Sequence, residues 1–320
     1  MVRIRTIIAS ILVACFAASA TAATFPDRPV KLVVPFAPGA TTDILARLLA
    51  EKLAERWKQP VIVENKAGAG SAIGADFVAK STADGYTLLF GSESLSLLPH
   101  LQAMPFDWRT DLTRVSLTGT LPILLTVTGK RSDLGSMAEL VAFAKANPGK
   151  LNYGSPGKGT VHHLTMELFG QAAGIKLTHV PYKGAGPALQ DLVAGTIEVM
   201  PGAEPSAKGQ IQAGNVRALA VFAPERVPGL PAVPTAREAG VAFEEQFWWG
   251  VMAPGKTPPE IVQQIAEASA AVVKDPDTAK RIVALGVTPV GSTPQQFEKF
   301  FVEQNEKWGR IVKTLNIKLE

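Results

Sequence analysis

The sequence predicts an α/β fold in which mostly parallel strands are covered by helices. Three observations lead there. Short apolar runs alternate with longer amphipathic ones from Val30 to Phe222. The tail beyond Thr257 reads as helical, and each of its segments opens with a capping side chain beside a proline. Composition is that of a packed globular protein, with 47% hydrophobic and 19% charged residues over 320 positions, and neither a low-complexity linker nor a short-period repeat divides it.

Residues 30–36 form the first strand candidate, broken by Pro38-Gly39-Ala40. Residues 41–57 then place Ile44, Leu45, Leu48, Leu49 and Leu53 at helical spacing. A strand over 60–64, a small-residue loop over 67–72 and a helix over 73–81 follow, and Asp84-Gly85 turns the chain into a strand over 86–90. Further on, strands are expected over 123–128, 151–155, 177–182, 196–200 and 216–222. Helices are expected over 136–147, 160–171 and 187–194, the last with proline at its first position, where no amide partner is lost. Thr257-Pro258, Asp275-Pro276 and Thr293-Pro294 open helices over 260–273, up to 284, and 295–315.

The first 22 residues read as a secretory signal. Arg3 and Arg5 give a cationic start, residues 6–18 are apolar or small, and Ala20-Thr21-Ala22 is a small-x-small exit. The apolar run falls short of the roughly 20 residues needed to span a bilayer. Leu12-Val13-Ala14-Cys15 resembles a lipoprotein cleavage box that would leave Cys15 lipidated, but the run continues past it to the conventional site. Cys15 is the only cysteine, so cleavage after Ala22 removes disulfides, thiol catalysis and cysteine metal sites together. The formal charge falls from +4 to +2 as Arg3 and Arg5 leave. No dense Lys/Arg cluster remains, and nucleic acid is not an expected partner.

Four strand-to-helix connections are rich in Gly, Ser and Thr: 36–43, 90–95, 154–160 and 182–187. The first turn of a helix leaves amide N–H groups unpaired and carries partial positive charge. Small residues let an oxyanion approach that backbone, so such loops hold a carboxylate or phosphate without a charged side chain. In open sheets, ligands bind beyond the carboxyl ends of the strands, where these loops emerge. Nucleotides are a poor fit: Gly157-Lys158 is followed by Gly159 and lacks the P-loop spacer, and the first loop lacks G-x-G-x-x-G.

No catalytic or metal residue is assigned. His162 and His163 are adjacent and diverge by about 100° on a helix, so they cannot chelate one ion as an i, i+4 pair does. A hydrolase built from Ser155, His162 or His163, and Glu204 has no nucleophile-elbow motif in its favour. Trp248-Trp249 reads either as core packing at a domain seam or as an aromatic wall over a ligand. Glu93, acidic within an anion-holding loop, either faces solvent or receives a ligand ammonium or hydroxyl group.

The segments FPDRPVKLVVPFAPGATTDILARLLAEKL, VIVENKAGAGSAIGADFVAKSTADGYTLLFGS, LNYGSPGKGTVHHLTMELF, VPYKGAGPALQDLVAG, GNVRALAVFAPER and WWGVMAPGKTP stand in the order and spacing of one family. The chain resembles the extracytoplasmic solute receptors of the tripartite tricarboxylate transporter system, the Bug family. The resemblance implies a two-lobed periplasmic binding protein fold, type II-like, with a cleft between lobes. Lobe 1 would comprise residues 23–122 and 250–320, and lobe 2 residues 123–249. It implies capture of a small carboxylated compound by domain closure and delivery to inner-membrane permease subunits, by a monomer without cofactor. The alternative is a ligand-sensing partner of a sensor kinase.

Carried onto this sequence, the family's ligand loops fall at Phe36, Gly39, Ala40, Thr41 and Asp43, then at Ser92, Glu93 and Ser94. The second lobe supplies Gly157, Gly159, Thr160 and His163, then Lys183, Gly184 and Ala185, with Gly202 and Trp248 beside them. Two departures alter the selectivity end of the pocket. Members often read Met-Phe-Asp-Asn where this chain has Met200-Pro201-Gly202-Ala203, with Glu204 following, and small hydroxyl residues are commoner where Glu93 stands.

Overall fold

The computed structural model describes residues 25–39, 41–182 and 185–315. The leader sequence, Cys15 and the cleavage site lie outside the described residues, as do Ala40, Lys183 and Gly184. Among the described residues, no helix is long and apolar enough to cross a membrane.

The chain begins with strand β1 (Val30–Val34), helix α1 (Thr41–Trp57), β2 (Val61–Asn65), α2 (Ala72–Ala79), β3 (Thr87–Ser92), the short α3 (Ser94–Leu97) and β4 (Leu112–Pro122). It continues through β5 (Leu124–Thr128), α4 (Met137–Ala146), β6 (Asn152–Ser155), α5 (Val161–Ala173), β7 (Thr178–Pro181), α6 (Ala185–Ala194), β8 (Val199–Gly202), α7 (Glu204–Gln212) and β9 (Val216–Val221). It ends with β10 (Gln246–Pro254), α8 (Pro259–Lys274), α9 (Pro276–Ala284), β11 (Thr288–Pro289) and α10 (Pro294–Leu315).

These strands form two sheets, ordered β11-β4-β10-β3-β1-β2 and β7-β6-β8-β5-β9. Apart from the edge strand β11, both follow one plan. Two parallel strands flank a first strand, and an antiparallel strand arriving from the other sheet lies beside the third: β10 on β3, β5 on β8. The sheets are therefore mixed, not mostly parallel, because each contains the strand that brings the chain across. The chain leaves the first sheet at Pro122 and returns at Gln246, and β10 belongs to the first sheet over its whole length, ahead of the expected boundary at 249/250. The long strands β4 and β10 and helix α7 were not legible as elements, whereas most expected helices start within a residue or two of their caps.

Side-chain alternation shows why helices cover both faces of the first sheet. Leu32, Val34, Leu88 and Phe90 pack with Leu45, Leu49 and Ile265 on one face. Val33, Leu89, Trp248 and Met252 pack with Ala75, Phe297 and Phe301 on the other. In the second sheet, Tyr153 and Val199 meet Leu164 and Phe169, while Met200 and Val216 meet Ala188 and Leu192. Caps hold the helices in place: the Ser136 hydroxyl accepts the Glu139 N–H, and the Asp275 carboxylate accepts that of Thr278.

Gly250, on the returning strand, tests this packing. A Cβ there would lie 2.4 Å from Phe297 Cζ and 3.0 Å from the Ser116 carbonyl oxygen. Gly250→Ala should lower the unfolding free energy by about 1–3 kcal/mol through overpacking. Urea denaturation followed by tryptophan fluorescence measures it.

Candidate functional site

The loops singled out above leave the carboxyl ends of β1, β3, β6 and β7, the same ends at which β5 and β10 carry the chain between sheets. In the first loop, Asp43 folds back from the first turn of α1. Its Oδ2 accepts the Gly39 N–H at 3.0 Å and the Arg47 Nε–H at 2.9 Å, and its Oδ1 accepts from Asn65 Nδ2 at 2.9 Å. Asn65 also donates to the Phe36 carbonyl. Burial pushes the Asp43 carboxyl up, but Arg47, the Gly39 amide and Asn65 together outweigh it and hold it down at about 2. Asp43 is thus an anion already satisfied from within, and it shapes the loop.

Gly39 takes a φ of +92°, and a Cβ added there would touch nothing within 4 Å. The requirement for glycine at this point is conformational, not steric. The N–H groups of Thr41, Thr42 and Asp43 donate to no group among the described residues. The Thr42 hydroxyl accepts the indole N–H of Trp249 at 2.9 Å.

In the second loop, the Ser94 hydroxyl bonds those of Ser71 and Ser92 at 2.9 and 3.2 Å, and Ser92 is buried. Glu93 follows Ser92, which stands opposite Trp249 in the register of β3 and β10. Its Oε2 is buried and has no hydrogen-bond partner among the described residues. Burial first, and the nearby Glu245 carboxylate second, push its pKa up to about 7 against the pull of its own and Trp248's N–H. Glu245 itself is buried, and Lys307 Nζ lies 2.7 Å from its Oε2.

The third loop is held by neutral groups. The buried Ser155 hydroxyl bonds His179 Nε2 at 2.7 Å and accepts the Gly157 N–H at 3.2 Å. Gly159 donates its N–H to His163 Nδ1 at 3.1 Å, which requires that nitrogen to be unprotonated. Thr160 caps α5, accepting the His163 N–H while its own hydroxyl donates to the Gly157 carbonyl. The His163 and His179 rings stack 4.0 Å apart, with Tyr153 against His179 at 4.9 Å. Burial depresses both histidines to about 4, and His179 and Lys158 add to the effect at His163. The Val161 and His162 N–H groups donate to nothing among the described residues.

The amides of Gly39, Gly157 and Gly159 are therefore used inside the loops, and the N–H groups left without a partner among the described residues are those of Thr41, Thr42, Asp43, Val161 and His162. Trp248 is also not where a cleft wall would be. Its indole is fully buried, edge-on to Phe297, Phe300 and Phe301 in the core, because residue alternation on β10 turns it away from Phe247 and Trp249. Gly202 ends β8 opposite Leu124, where an added Cβ would meet only Thr126 Cγ2 at 3.9 Å. Ala185 begins α6 in an exposed position. Ser155 is paired with His179, not His162 or His163, and the Glu204 carboxylate packs against Gly229 and Lys208 instead. Among the described residues, no group of three or more His, Cys, Asp or Glu side chains could hold a metal.

Sequence reading missed Arg47, Asn65, His179 and Thr42. Arg47 had a signal, its i, i+4 spacing from Asp43. Asn65 and His179 reach their partners from neighbouring strands and had none.

Comparison with known proteins places this geometry. A model of the tripartite tricarboxylate transporter family receptor matches residues 45–317. Protein BugT of Bordetella pertussis (strain Tohama I / ATCC BAA-589 / NCTC 13251) is 38% identical over 317 residues, covering 97% of this chain and 96% of that protein. The solved structure of R. palustris Rpa4515 with adipate is 37% identical, covers 92% of this chain and 100% of its own, and superposes with a TM-score of 0.79. MatC from Rhodopseudomonas palustris with bound malate is 32% identical, covers 90% and 100%, and has a TM-score of 0.73.

Two outcomes test the loop networks. Asp43→Ala unpairs Arg47, Asn65 and the Gly39 amide at once, and should cost about 1–3 kcal/mol of stability in chemical denaturation. The histidines set an acid limit. Their folded pKa lies near 4 and their ordinary value is 6.5, so the stability they contribute is complete above pH 6.5 and is lost as pH falls through 4. Glu93, raised from 4.5 to about 7, works in the opposite sense, with stability present below 4.5 and lost as pH rises through 7. The comparison therefore needs a variant. In His163→Asn, an amide oxygen can accept the Gly159 N–H without titrating, so its melting temperature should fall less steeply than wild type from pH 6.5 to 4.

Proposed function

The chain belongs to the tripartite tricarboxylate transporter receptor family, and on that premise we propose that it works in the periplasm, capturing a small carboxylate between two lobes. Residues 25–122 with 246–315 form one lobe and residues 123–245 the other. The captured solute is handed to inner-membrane permease subunits of the tripartite system. The leader-like residues 1–22 support export.

One observation carries the reading. The first turns of α1 and α5 stand at the ends of the two sheets joined by the chain crossings, and each offers N–H groups that donate to nothing within the described residues. An anion bridging the two helix starts is favoured by both dipoles. Each lobe alone offers only part of the donors, so the ligand binds most tightly to the closed state and shifts the population toward it. The adipate and malate named in the two related structures suggest the size of the solute, a short diacid.

Isothermal titration against C4 to C6 diacids and their amino derivatives should give saturable one-to-one binding for at least one compound, accompanied by a change in tryptophan fluorescence as Trp249 follows the α1 loop. Absence of saturable binding across the series would sink the proposal. Gly159→Val forces a β-branched residue to φ +77° and should weaken the best ligand at least about tenfold, near 1.4 kcal/mol. Thr160→Ala should weaken it less, since the backbone donors stay.

A further inference from the structure

We propose that the buried ion pair between Glu245 and Lys307 pins the returning crossing to lobe 1 and so limits the orientations the two lobes sample. Both are positioning residues, acting on the ligand only through the crossing. The inference rests on the receptor reading above, since a pinned crossing matters to a molecule that closes.

The chain changes lobes within one residue at each crossing. Pro122 pairs with Gln246 in the first sheet, whereas Leu124 pairs with Gly202 and Val221 in the second. Glu245 stands at the same point of the return. Its N–H donates to the Phe222 carbonyl and its own carbonyl accepts the Ile123 N–H, while the next residue, Gln246, already belongs to the first sheet. The side chain reaches the other way. It is 1% exposed, with Oε2 accepting from Lys307 Nζ at 2.7 Å and Oε1 accepting the Gln246 N–H at 3.1 Å. One residue is thus held by its main chain in lobe 2 and by its carboxylate in lobe 1.

Lys307 is a firm anchor for that carboxylate. It belongs to α10, whose Phe297 and Phe301 pack against Trp248 in the core and whose Asn305 donates to the Ser96 carbonyl at 2.9 Å. Its ammonium also lies 4.9 Å from the Trp308 ring. A buried ion pair adds little stability over an apolar pair of similar volume, because desolvation of both charges offsets their attraction. Ile123, the residue at the same point of the outgoing crossing, is apolar and fully buried. What the ion pair supplies is direction. An apolar contact slides as lobes turn, whereas a short charged hydrogen bond holds one distance and angle. Without it the crossing samples more orientations, and a ligand must order them on binding.

Three variants test the inference. Lys307→Met removes the anchor, Glu245→Gln keeps the shape but not the charge, and Lys307→Arg keeps the charge. In Lys307→Met, amide exchange read by mass spectrometry should quicken at least about threefold for peptides covering Ile123, Phe222 and Glu245, relative to peptides from β1 and β8. By calorimetry, every C4 to C6 diacid that wild type binds should weaken at least about threefold and by one common factor, because the pair acts on the lobes. Glu245→Gln should shift both readouts the same way by less, and Lys307→Arg should lie closer to wild type than Lys307→Met does. Unchanged exchange or unchanged affinity in folded Lys307→Met overturns the inference and leaves the receptor reading intact. So does a factor that differs among the diacids, or a loss in Lys307→Arg as large as in Lys307→Met. Should Lys307→Met fail to fold, the same outcomes are read from Glu245→Gln. No binding of any diacid by wild type overturns the receptor reading and the inference with it.

Discussion

The arrangement depends on a junction of three chain segments between the sheets. Phe222 donates its N–H to the Ile123 carbonyl at 2.8 Å, Glu245 donates to the Phe222 carbonyl at 2.8 Å, and Ile123 donates to the Glu245 carbonyl at 3.3 Å. Main-chain bonds therefore tie the outgoing crossing, the end of β9 and the returning crossing at one point. Because β5 and β10 then run antiparallel beside β8 and β3, the crossings are forced to the carboxyl ends of the parallel strands. The helix starts that follow β1 and β6 come to the same place. No separate device is needed to bring the binding loops together, since strand direction decides it.

Given that placement, the two lobes shape their loops by opposite electrostatics. The first uses a charge, with Asp43 kept anionic by Arg47, Asn65 and the Gly39 amide. The second uses neutrality: Gly159 can donate to His163 Nδ1 only while that ring is uncharged, and two protonated rings stacked 4.0 Å apart would repel. In both, glycine N–H groups are engaged within the loop, while N–H groups of the first helical turn, those of Thr41 to Asp43 and of Val161 and His162, have no partner among the described residues. On the proposed reading, a single ligand meets donors already held in place by these networks, which lowers the ordering cost of binding.

Much of the fold was legible because local chemistry decided it. Pro258, Asp275 with Pro276, and Thr293 with Pro294 announce helix starts regardless of surroundings, and the Gly-rich turns after β1 and β6 announce themselves. The long strands β4 and β10 were not, because they are buried on both faces and run through Gly, Thr and Trp without strict alternation. The site was legible to the level of loops and not of atoms. Gly39 and Gly159 stood out, but that their own N–H groups turn inward depends on Asp43 and His163 being folded back. Trp248-Trp249 reads in sequence either as core packing at a domain seam or as an aromatic wall, and both indoles are buried. Strand alternation sends one of the pair to each face, and sequence alone does not say which.

Recognition by main-chain amides carries a consequence for specificity. An amide holds any carboxylate of suitable reach, so helix starts define a charge class and not a compound. Discrimination must come from the few side chains that reach the junction with an unmet need, and a buried donor or acceptor left unpaired discriminates far more sharply than an added methylene group. The serine hydroxyls of the second loop are engaged with one another. A backbone clamp common to many carboxylates thus leaves narrow preference to side chains around it, without altering the junction that positions the helix starts.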